Sequence, residues 1–133
     1  MQIPKDNIRN NILKAAENIF LEKGYSKTSM REIAAKSNVV LSNIYNYFKN
    51  KDEIFCQIVR PVTYAFDKML HEHHGHSSAD ILELYSDSYL LYVIQEYIYI
   101  IHQHRNLLKI LFFCSLGSSL ENYKEDFTNR STL

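Results

Sequence analysis

The chain has 133 residues, 46% of them hydrophobic and 23% charged, which is the make-up of a globular chain of one domain to one and a half and not of a disordered or fibrous one. The net charge is zero, yet Lys and Arg outnumber Asp and Glu ten to six over residues 1–60 and are outnumbered five to nine over 61–133, so +4 is followed by −4. This excludes a uniformly basic surface and fits a nucleic-acid-binding first part on a body that stays clear of the nucleic acid.

Residues from about 5 to 23 have Ile8, Ile12, Ala15, Ala16, Ile19 and Phe20 on one side of an amphipathic helix, and Gly24 ends it. Lys5 and Arg9 at its start are candidate phosphate contacts, or simply solvated charges. A second helix opens with a capping box, Ser29 with Glu32 three residues on, and carries Met30, Ile33 and Ala34 on its inner face. Asn38 supplies the positive-φ residue that a tight turn needs, and Val39 plugs the corner. Val40, Ile44 and Phe48 then fall at i, i+4 and i+8, a buried stripe that pushes Leu41, Ser42, Asn43, Tyr45 and Asn46 outward. A helix that only covers a core usually carries Lys and Glu outside. Hydroxyls and amides there can instead bond to base edges and phosphates. The pair is therefore a helix-turn-helix, with an ordinary helical hairpin as the bland alternative.

Asn50 and Glu53 form a second capping signal, which puts Lys51 in the first turn of a fourth helix where a phosphate could be held. That helix runs through Ile54, Phe55, Ile58 and Val59 to Pro61, where a kink or restart is expected. His71, His73, His74 and His76, with Glu72, are weak metal candidates, and a polar loop is the rival reading. Ser77 and Ser78 with Asp80 should start a long helix through about His102, buried on more than one side because its tyrosines wrap its circumference. His102, His104 and Arg105 at its end are candidates to bind an anion or, as the favoured reading, to complement its dipole. A further helix is expected from Asn106 to Leu116, ended by Gly117, with another starting at Ser118 to Glu121. Tyr85, Tyr89, Tyr92, Phe112 and Phe113 are weak candidates for an effector pocket, or else large core residues with their hydroxyls at the rim.

Cys56 and Cys114 have no Cys-x-x-Cys partner and are expected reduced, in the cytoplasm; no signal peptide is visible, and the apolar run Tyr89–Ile101 is too short to span a bilayer. There is no Gly-rich phosphate loop, nucleophile elbow or His-Glu-x-x-His motif, so no enzyme and no cofactor is expected.

The stretch Thr28–Phe55, TSMREIAAKSNVVLSNIYNYFKNKDEIF, resembles the DNA-binding signature of TetR-family transcriptional regulators, with residue types agreeing in register from Leu13 to Phe55. It departs from that signature at Ser37-Asn38 in place of Ala-Gly, Val40 in place of a capping Ser, and Ser42 in place of Gly. The resemblance implies an all-α chain with a three-helix DNA-binding head over 1–50 and a helical regulatory domain over 51–133, C-terminally truncated because the family carries two more long helices. It also implies a homodimer on a palindromic double-stranded operator, acting as a repressor released by a small-molecule effector. By position, Thr28, Tyr45, Tyr47 and Lys51 would hold phosphates, with Ser29 beside them, while Leu41, Ser42, Asn43 and Asn46 would face bases. The competing expectation is a metal- or ligand-sensing helical protein, or a protein-interaction module, without DNA activity.

Overall fold

The computed structural model describes residues 5–74 and 86–131, which are helical with no strand among them. The helices in order are α1 (Lys5–Lys23), α2 (Met30–Ser37), α3 (Leu41–Tyr47), α4 (Lys51–His74), α5 (Asp87–Gln103), α6 (Arg105–Phe113) and α7 (Tyr123–Ser131).

Local signals account for the first boundaries. α1 buries Ile12, Ala15, Ala16, Ile19 and Phe20, the stripe its spacing predicts. Gly24, at φ 83°, closes it with an N–H bond to the Phe20 carbonyl at 2.8 Å. α2 begins where Ser29 Oγ accepts the Glu32 N–H at 3.1 Å and ends at Asn38, left-handed at φ 58°, ψ 36°. At the start of α4, Asn50 Oδ1 accepts the Glu53 N–H at 2.8 Å, while the Glu53 carboxylate accepts from the N–H of Lys49 rather than that of Asn50.

α1 crosses α2, α4 and α6. Phe20, Tyr25 and Phe55 meet at the crossing, with Phe55 edge-on to both at ring distances of 5.4 and 5.3 Å. Around them Ile33, Ile44, Ile54, Val59, Val62, Ile110 and Leu111 are excluded from solvent, so α6 shares one core with the first four helices. Polar stitches reinforce this: the Tyr25 N–H donates to the Cys114 carbonyl at 2.9 Å, and Asp52 Oδ1 accepts the Ser119 N–H at 2.8 Å. Cys56 and Cys114 are free thiols, and burial raises the pKa of each.

Five expectations are corrected. Val40 is 71% exposed, because α3 starts at Leu41 and Val40 is its extended N-cap, off the helical register. α4 does not restart at Pro61 but continues to His74, with the proline on its exposed side, where the carbonyl deprived of a donor can meet water. No single helix joins Ser78 to His102: Ser86 is extended (ψ 147°) and its hydroxyl caps a new start by accepting the Tyr89 N–H. The proposed start at Ser77 to Asp80 lies outside the described residues. Nor is α5 covered on several sides, since Ile100 is its buried residue while Leu90, Leu91, Ile94, Ile98 and Ile101 are about half exposed. Finally, residues 118–122 are turns rather than a helix. Ser118 Oγ donates to the Ser115 carbonyl and Glu121 accepts the Gly117 N–H, which uses these groups before α7 begins at Tyr123.

Candidate nucleic-acid interface

α3 is short, and its inner side is held by Ile44, wholly buried, and by Phe48 just past its end, 1% exposed. Ser42, Tyr45 and Asn46 are exposed, and Leu41 and Asn43 are half exposed beside them. The Asn46 side-chain amide donates to Asn43 Oδ1 at 3.1 Å. That bond orients both amides and leaves each with a further donor or acceptor for a base edge. Ser29 stands exposed at the start of α2, its hydroxyl occupied with Glu32. The Glu32 carboxylate, bonded above all to Lys23 Nζ at 2.6 Å and also to Ser29, lies below its ordinary pKa.

Three residues assigned to phosphates are placed otherwise. Thr28 is 2% exposed and its hydroxyl donates to the Gly24 carbonyl at 2.7 Å, pinning the turn between α1 and α2 from inside. Tyr47 is half buried and packs on the core. Lys51 Nζ donates to the carbonyls of Tyr25 and Thr28 at 3.0 and 2.9 Å and lies 4.1 Å from the Tyr25 ring centre. An ammonium has three donors, so Lys51 keeps one for an anion and is first of all a clamp between α4 and that turn. Burial lowers its pKa.

Arg9 is similarly engaged, donating to Gln57 Oε1 at 2.9 Å with its guanidinium 5.5 Å from the Phe48 ring centre, whereas Lys5 is exposed. Residue-by-residue reading overlooked Tyr25, whose carbonyl and ring hold Lys51, and the exposed Lys27, Arg31 and Lys49. The positive charge of the first 60 residues was the available signal for those three cations.

The five effector candidates are not brought together. Tyr92 lines a cleft of about 360 Å³ between α4 and α5 with Met69, Glu72, Glu96 and Ile100. Phe112 and Phe113 line a separate hollow of about 740 Å³ with Ile101, Arg105 and Leu108. Tyr89 is half buried and lines neither, and Tyr85 lies outside the described residues. Of the histidines, His71 is exposed near the end of α4, while the side chains of His73 and His74, and His76 altogether, lie outside the described residues. No cluster able to hold a metal ion occurs among the described residues.

A short helix anchored on one side, carrying paired amides and a tyrosine on the other and preceded by a capped helix and a left-handed turn, is the geometry of a DNA-reading unit. Residues 12–58 match the family described as bacterial regulatory proteins, tetR family. This is a TetR-type DNA-binding head. The chain is 27% identical over 108 residues to the probable HTH-type transcriptional regulator YttP of Bacillus subtilis, covering 81% of this chain and 50% of that one. It is 30% identical over 83 residues to the HTH-type transcriptional repressor Rv3405c of Mycobacterium tuberculosis, covering 62% and 43% respectively. The chain thus spans about half the length of the curated relatives it matches. Among solved structures, NalD, the secondary repressor of the MexAB-OprM multidrug efflux pump in Pseudomonas aeruginosa, superposes with a TM-score of 0.66 at 26% identity over 96% of this chain and 65% of that one. These relatives are transcriptional regulators and not enzymes. No helix among the described residues is long and apolar enough to cross a membrane.

Proposed function

We propose that this chain is a sequence-specific transcriptional regulator that reads double-stranded DNA with α3, as a homodimer on a palindromic operator, and represses until a small-molecule effector releases it. The outward face of α3 carries this reading: Asn43 and Asn46, joined by their side-chain bond, with Ser42 and Leu41 toward base edges. Tyr45, Ser29 and the remaining proton of Lys51 serve the phosphates. Residues 1–50 form the DNA-binding domain and 51–133 the regulatory one. The hollows beside α5 and α6 are where an effector would act, since a ligand favouring the state with its heads set apart weakens DNA binding by the ratio of its affinities for the two states.

Fluorescence-anisotropy titration against DNA from upstream of the chain's own gene, with competitor DNA present, tests this. The expected result is saturable binding that survives competitor at about 0.15 M salt and falls at least about tenfold in Tyr45→Ala. Binding that competitor abolishes, or that ignores Tyr45→Ala, overturns sequence-specific reading by α3.

A further inference from the structure

The hollow of about 740 Å³ beside α6 and the end of α5 divides by chemistry. Its apolar part is Leu108, which is buried, Phe112, which stacks on Phe66 of α4 with ring centres 6.3 Å apart, and Ile101 and Phe113, 49% and 78% exposed. Its polar part is Arg105, Asn106 and Lys109, all exposed. Residues 61–133 hold nine acidic side chains against five basic ones, yet two of the five line this hollow and no described acidic residue does. Arg105 and Lys109 stand one helical turn apart on α6, where like charges repel. Neither makes an ion pair with a carboxylate among the described residues.

We propose that this hollow binds an amphipathic organic anion, its acidic head held by Arg105 and Lys109 and its apolar body laid on Ile101, Phe112 and Phe113. The proposal rests on the effector reading above and names the chemical class of that effector. A cation would meet two like charges. A neutral apolar molecule would leave their repulsion in place, and an inorganic anion would leave the rings in water. One molecule with an acidic head and an apolar body removes both costs, since its head accepts charge-assisted hydrogen bonds while its body covers the rings.

The place of the hollow suits regulation. Phe112 touches α4 through Phe66, and two residues on the Cys114 carbonyl accepts the N–H of Tyr25, whose own carbonyl is held by Lys51. A ligand lying on Phe112 therefore bears on α4 and on the turn between α1 and α2.

Calorimetric titration of the chain without DNA, using octanoate, 1-octanol and octyltrimethylammonium as probes, tests the site. Octanoate is expected to saturate with a Kd of about 100 μM, and the neutral and cationic probes to bind at least about tenfold more weakly. The double variant Arg105→Gln, Lys109→Gln should lose about tenfold in octanoate affinity with unchanged helical circular dichroism, because both side chains are exposed. No saturable binding up to about 5 mM octanoate, octanol or octyltrimethylammonium binding as tightly as octanoate, or a double variant that binds octanoate like the parent each overturns the proposal. The same titration on the whole product of the gene should give the same affinity. Octanoate binding by the chain alone would mean that another segment of protein fills the hollow, and overturns it too. The operator titration separates the two readings. Octanoate that binds as expected but leaves operator affinity unchanged refutes release by an effector and keeps the site, whereas operator binding by a chain with no affinity for octanoate refutes the site alone.

Discussion

At the scale of single residues, backbone conformation and local charge do most of the work. Asn38 is the non-glycine residue at positive φ among the described residues, and the path of the chain from α2 to α3 depends on it. Asn38→Val should cost about 1–2 kcal/mol in a urea melt, because a β-branched side chain resists the left-handed region, whereas Asn38→Gly stays within about 0.5 kcal/mol of the parent. Glu32 offers a check by pH. Its folded pKa lies below the ordinary 4.5, chiefly through Lys23, so the stabilisation it contributes is present above the unfolded pKa and is lost as pH falls through the folded one. A carboxyl-carbon NMR titration should place the Glu32 midpoint below 4.5, and Lys23→Ala should move it back up. The pair is solvent-exposed, so the melting temperature should change little.

The element that matters is α3. Its seven residues are too few to be helical alone, so burial of Ile44 and Phe48 has to hold it. Ile44→Ala should cost about 2–5 kcal/mol in a denaturant melt and loosen the reading face with it. Its start is uncapped, because Val40 has no side-chain acceptor for the first turn. Val40→Ser should therefore add about 1 kcal/mol, read as a higher urea midpoint. An unchanged midpoint would mean that another group already satisfies those N–H donors.

For the whole molecule, the decisive feature is that α6 enters the core built by α1 to α4. Ile110 and Leu111 are as buried as Ile33 and Ile44, and the Tyr25–Cys114 and Asp52–Ser119 bonds join the turn after α1 and the start of α4 to the far end of α6. Ile110→Ala should thus destabilise α1 and α6 together by about 2–5 kcal/mol, visible in hydrogen exchange as an equal loss of protection at the Ile19 and Leu111 amides. Loss confined to α6 would mean that the helices unfold independently.

The sequence by itself determined the features whose partners lie within a turn of helix. Ser29 with Glu32, Asn50 with Glu53, Gly24 and Asn38 all stand where their chemistry places them, because a cap or a turn is settled by residues three or four apart. The inner stripe of α1 and the outward face of α3 were legible for the same reason of periodicity. Only the tertiary structure decided the fate of Lys51, since its carbonyl partners lie 26 and 23 positions away and no local pattern announces them. It also decided that α5 has one covered side and that its aromatic neighbours line separate hollows, because an apolar residue is buried only where another element arrives to cover it.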